Sequence, residues 1–133
     1  MKHYAKNYVK DNPMTNPLIL VANIKSSTFN LTGLNQFKSI ERKMKLDHNI
    51  VDFRILPIIT NSSTYINQRA KQIENYFKKY FFNNDNKNNK LVNINFLCFS
   101  FANLPLNIFM SNYKNLFKNF LIKSVIYVAS PNK

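Results

Sequence analysis

A chain of 133 residues with 45% apolar side chains can build one substantial hydrophobic core but not two, and that apolar content excludes disorder of the whole chain. Its 19 Lys and Arg against 6 Asp and Glu give a formal charge of +13 at pH 7, which makes nucleic acid, an acidic protein or an anionic membrane surface the candidate partners. A single cysteine, Cys98, excludes an internal disulfide and a multi-cysteine zinc site, and no apolar run reaches the ~18 residues of a membrane span.

Part of the charge has a mutational explanation. Arg42, Arg54 and Arg69 are the only arginines among the 19 basic residues, Asn is frequent, and there is one Gly and no Trp, as an AT-rich coding sequence would produce. The run NNDNKNNK at 83–90 is read in the same way, as a low-complexity loop.

In chain order, residues 1–16 form a basic polar arm carrying Lys2, Lys6 and Lys10, expected to lie on another molecule. The opening MKHYAKNYVK suits organelle import by its charge, but it has no Arg and no amphipathic arrangement. PLILVANI (17–24) is a continuous apolar run of strand length, as expected of a strand buried on both faces. Leu34, Phe37, Ile40 and Met44 then recur at helical spacing, and Lys38, Arg42, Lys43 and Lys45 fall on the other side, predicting an amphipathic helix with a basic outer face.

NIVDFRILPII (49–59) predicts the second strand, halted by Pro57. NSST at 61–64 is placed to cap a helix whose stripe is Ile66, Ala70, Ile73, Phe77 and Tyr80 or Phe81. KLVNINFLCF (90–99) predicts the third strand, LPLNIFMSNYKNLF (104–117) the third helix with Pro105 in its first turn, and IKSVIYVAS (122–130) the fourth strand. Strand and helix alternate with short connections, so the expected fold is α/β: a parallel sheet of about four strands with flanking helices over residues 17–133.

Five stretches in this order resemble the first half of an α/β-hydrolase core of the triacylglycerol lipase type. PLILVANIKSS resembles the first conserved strand and the turn where a His-Gly pair stands, and FKSIERKMKLDHNIVDFRILPI the helix and strand that follow; SSTYINQRAKQIENYF resembles the helix beginning Ser-x-x-x-R-A. KLVNINFLCFSFANL resembles the strand running into the nucleophile elbow, and IKSVIYVASPNK the next strand and its turn. The resemblance implies a nucleophile position at Ser100, within Cys98-Phe99-Ser100-Phe101-Ala102, where both glycines of G-x-S-x-G are replaced. Beyond Ser100 there is no Asp, Glu or His, and Ala22-Asn23 stands at the His-Gly pair. Nucleophile activation and oxyanion stabilisation both lack their residues, so Ser100 is expected to be vestigial and the chain a pseudoenzyme.

Other chemistry is sparse. His48 beside Asp47 reads as a surface histidine at a helix end, and Cys98 as a core residue. No Walker loop, dinucleotide glycine pattern or metal-ligand cluster is present, so no cofactor is expected. The family sheet continues past the fourth matching strand, so a chain ending at Lys133 is expected to expose a sheet edge that a partner covers.

A stripped, basic remnant of this kind suits a structural subunit of a large assembly, with a mitochondrial ribosome of an AT-rich lineage as the specific expectation. Lys2, Lys6, Lys10, Lys38, Arg42, Lys43 and Lys45 are then the candidate rRNA contacts. The alternatives are an accessory subunit of a mitochondrial respiratory or ATP synthase complex, with peripheral lipid contact, and a serine lipase or esterase completed by a partner chain.

Overall fold

Four apolar strands separated by helices bury their faces best as one parallel sheet with helices on both sides. The chain does this. The computed structural model describes residues 12–25, 31–61, 64–81 and 91–128, with backbone alone for 31–36. The strands are β1 (Leu18–Lys25), β2 (Phe53–Thr60), β3 (Val92–Phe99) and β4 (Phe120–Val128). The helices are α1 (Leu31–His48), α2 (Ile66–Phe81) and α3 (Asn103–Leu116), the last preceded by a 3-10 turn at Ser100–Ala102.

All strand pairs are parallel, in the order β2-β1-β3-β4. The path from β1 to β2 runs one way across the sheet and the later connections run the other. Right-handed crossovers then require the helices to change faces. Phe37, Ile40 and Met44 of α1 accordingly pack with Leu20, Ala22 and Ile55 on one face. On the other face, α2 and α3 pack over Ile19, Val21, Leu56, Ile94, Phe96 and Cys98. Phe77 sits at the centre of that second core, stacked on Phe120 at 4.9 Å and Phe109 at 5.3 Å and edge-on to Phe96 at 6.0 Å.

Three boundaries differ from the sequence-based expectation. Asn49 (φ 55°) takes the left-handed conformation that ends α1, and the Ile50 N–H bonds the Met44 carbonyl, so β2 starts only at Phe53. Pro57 does not halt β2, which continues to Thr60. β2 is an edge strand, and the Ile59 N–H and C=O, two residues on and equally oriented, face away from β1; the missing N–H of Pro57 therefore points at the open edge, where it breaks no rung. β4 begins two residues early because Phe120 is needed in the aromatic core.

The start of α2 also differs. Asn61 and Thr64 bond to each other, and it is the Gln68 side chain that reaches back to the Tyr65 N–H at 2.8 Å. Ser62 and Ser63 lie outside the described residues, as do the loop at 82–90 and residues 129–130 of the expected fourth strand. Ile66, expected in the buried stripe, is exposed, whereas Tyr76 is buried.

Candidate functional site

Open parallel sheets bind ligands at the carboxyl ends of the strands, where the connections change direction. Here that switch point lies between β1 and β3. The β1–β3 ladder runs from Leu18 opposite Asn95 to Val21 opposite Cys98, and the same offset brings Asn23 level with Ser100 just beyond the last pair. Asn23 Oδ1 is buried and has no hydrogen-bond partner.

Ser100 stands where β3 turns into the 3-10 turn, with φ 48°. The other described residues with positive φ are Asn16 and Asn49, of a type that tolerates the left-handed region; serine does so at a cost of roughly 1–2 kcal/mol. The sharp strand-to-helix turn therefore forms without the glycines of G-x-S-x-G. Ala102 is fully buried and Phe101 points outward, which accommodates the bulky neighbours.

Among the described residues, no histidine or acid is hydrogen-bonded to it. The Ser100 hydroxyl has no hydrogen-bond partner among the described residues. His48 is exposed at the end of α1, which is the strand-start end of the sheet and opposite to Ser100. Cys98 is buried beneath the turn, and that burial pushes its thiol up to about 11, which suits a core residue rather than a nucleophile.

Compared with known proteins, the chain matches no family model, no curated protein and no solved structure. Function has to be read from these surfaces themselves.

The charge sits at the other end of the sheet. In a parallel α/β sheet every helix returns to the strand-start end, so the C-termini of α1, α2 and α3 all lie there, that of α1 on one face of the sheet and those of α2 and α3 on the other. Lys45 and His48 lie in the last turn of α1, Lys78 and Lys79 in that of α2, and Lys114 in that of α3, with Lys118 in the link to β4. Lys45 pairs with Glu41 at 3.1 Å, and Lys71 and Lys78 share Glu74 at 2.8 Å each. Lys38, Arg42, Lys43, Lys79, Lys114, Lys118 and Lys123 form no ion pair among the described residues.

Helix dipoles account for some of this, because a cation beside terminal carbonyls gains roughly 0.3–1 kcal/mol. They do not account for Lys38, Arg42 or Lys43, which lie farther up α1, or for Lys118 outside any helix. The expected outer face of α1 is present: Lys38, Arg42, Lys43 and Lys45 are exposed. Lys2, Lys6 and Lys10 lie outside the described residues. Lys79, Lys114 and Lys118 were not legible as a group, because only the crossover topology brings the ends of α2 and α3 to the same end and face of the sheet.

One cation at this end is not a surface group. Arg54 is 1% exposed, and its Nε donates to Asp52 Oδ1 at 2.8 Å while an Nη donates to the carbonyls of Asn12 and Pro13 at 3.0 Å each. The Thr15 N–H donates to Asp52 Oδ2 at 2.8 Å, and Met14 is buried in the α2–α3 core. Burial alone would lower the Arg54 pKa, but the hydrogen bond and charge of Asp52 outweigh it and the net shift is upward. Arg54 thus clamps residues 12–15 against the domain. Asp52, in the bend just before β2, and Arg54 are two apart in the chain and bond to each other, a pairing the sequence permits but whose burial it does not reveal.

Proposed function

We propose that this chain is a non-catalytic structural subunit of a large ribonucleoprotein, most specifically a mitochondrial ribosomal protein that contacts rRNA and neighbouring proteins. The observation that carries this reading is the gathering, at the strand-start end and away from the β1–β3 switch point, of cations that form no ion pair among the described residues. Lys79, Lys114 and Lys118 form a pole to which phosphates can be drawn by counterion release. The AT-rich signature of the composition supports the mitochondrial form.

The test is sedimentation of the tagged native protein from organelle lysate, with and without RNase. Co-migration with a ribosomal subunit that collapses after RNase is the expected result. Migration with a detergent-solubilised complex that ignores RNase transfers the assignment to a respiratory or ATP synthase accessory subunit. In vitro, Lys79→Glu, Lys114→Glu and Lys118→Glu are each expected to flatten the salt dependence of RNA binding by about one unit of log–log slope.

A second reading rests on a different observation, the positive φ of Ser100 at a strand-to-helix turn level with Asn23. It is the arrangement of an α/β-hydrolase nucleophile elbow, the family the sequence resembles, and in this reading the acid and base come from elsewhere. Covalent labelling of Ser100 by a fluorophosphonate probe, lost in Ser100→Ala, supports a serine hydrolase; a native protein that stays unlabelled removes that reading.

A further inference from the structure

The two edges of the sheet are finished differently. At the β2 edge, the Gln72 amide occupies the outward N–H and C=O of Ile59, and six of eight β2 residues are buried. At the β4 edge, Tyr113 Oη accepts from the Ile122 N–H at 3.2 Å, and past that point no described residue covers the strand. Phe120 is the one fully buried residue of β4.

The open half is apolar on both faces. Ile126 is 54% exposed and Val128 37%, on the α1 side, beyond the Leu97 and Phe99 side chains of β3 that belong to the α1 core; Tyr127 is 53% exposed on the other side. Tyr127 Oη bonds Asn107 Oδ1 at 3.1 Å, which sets it beside the exposed Leu104 and Ile108 of α3. An exposed strand edge with apolar residues on both sides templates the addition of another strand.

Charge selects the occupant. A β-bulge leaves Lys123 as the extra residue, with Ile122 opposite Ile94 and Ser124 opposite Asn95, and Lys118 lies just before the strand. Both are uncompensated. A second copy of this chain would bring another +13 to the same edge. We infer that the β4 edge receives an extended strand of a different polypeptide, apolar where it passes Val125–Val128 and acidic where it passes Lys123. Lys118 borders both surfaces, but Lys123 and the apolar stretch Val125–Val128 lie outside the basic pole, so the inference does not rest on RNA binding.

The test uses the full chain and two fluorescein-labelled nonapeptides, one alternating Val and Glu and one alternating Val and Lys, with binding read by anisotropy. The Glu peptide is expected to bind at least tenfold tighter than the Lys peptide. Ile126→Lys and Val128→Lys, both at exposed positions, are each expected to weaken it tenfold or more. Each adds a positive charge, so mere attraction to the basic surface would strengthen binding and overturns the inference. Lys123→Glu is expected to shrink the preference for the Glu peptide several-fold. Binding of neither peptide, or of both equally, overturns the inference, as does a homodimer in sedimentation velocity that Ile126→Lys dissociates. RNA affinity unchanged in Lys123→Glu with peptide preference lost separates the two surfaces.

Discussion

The side chain of Gln72 on α2 pairs with the backbone of Ile59 as a neighbouring strand would: its Oε1 accepts from the Ile59 N–H at 2.9 Å and its Nε2 donates to the Ile59 carbonyl at 2.8 Å. Together with Pro57, which presents no N–H to the same side, it closes the β2 edge against strand addition. Gln72→Leu keeps the helix and removes both bonds. The expected loss is about 1–3 kcal/mol, read from the urea midpoint, with faster aggregation on heating. Unchanged stability and aggregation would show that water replaces the amide at no cost.

The buried pair of Asp52 and Arg54 makes an asymmetric prediction. Arg54→Met leaves the Asp52 carboxylate with the Thr15 N–H and no counterion, at an expected cost of about 3–5 kcal/mol. Asp52→Asn combined with Arg54→Met removes both charges and is expected to recover part of that loss. Denaturant unfolding of the two variants checks the order, and limited proteolysis is expected to cut near residues 12–15 first in the single variant, because its clamp is gone.

Ser100 offers a direct measure of strain. Ser100→Gly relieves a left-handed penalty of roughly 1–2 kcal/mol against a glycine entropy cost of roughly 0.5–1 kcal/mol, so a small net stabilisation is expected. Ser100→Val places a β-branched residue at the same φ and is expected to destabilise clearly. The order Gly, Ser, Val in thermal midpoint supports the strained turn; Gly below Ser denies it.

On the alkaline side, Cys98 and Tyr76 act together. Burial lifts the Cys98 thiol from its ordinary 9.0 to about 11 and holds the Tyr76 hydroxyl well above 10.0. Both groups keep their protons more tightly folded than unfolded, so the Cys98 contribution is fully present below about pH 9 and is lost as pH rises toward 11, and that of Tyr76 is lost only as pH rises above 10.0. Stability is expected to fall there by up to about 1.4 kcal/mol per pH unit for each group. Cys98→Ala, compared at matched pH values, is expected to show a shallower slope between pH 9 and the onset of tyrosine titration. The native thiol is also expected to react with Ellman's reagent only as fast as the chain opens.

The sequence by itself determined what local pattern encodes: four strand-length apolar runs, three helices and their alternation. Those follow from side-chain periodicity and from residues next to each other in the chain. What only the tertiary structure decided was everything that depends on which strand lies beside which. Pro57 reads as a strand breaker until β2 is known to be an edge, where its missing N–H breaks no rung. Arg54 reads as one more surface cation until α2 and residues 12–15 close over it. Lys79, Lys114 and Lys118 lie far apart in the chain and share one end of the molecule only because right-handed crossovers return every helix to the strand starts. The open flank of β4 is legible only against the sealed flank of β2, since exposure is a property of neighbours rather than of the residues that carry it.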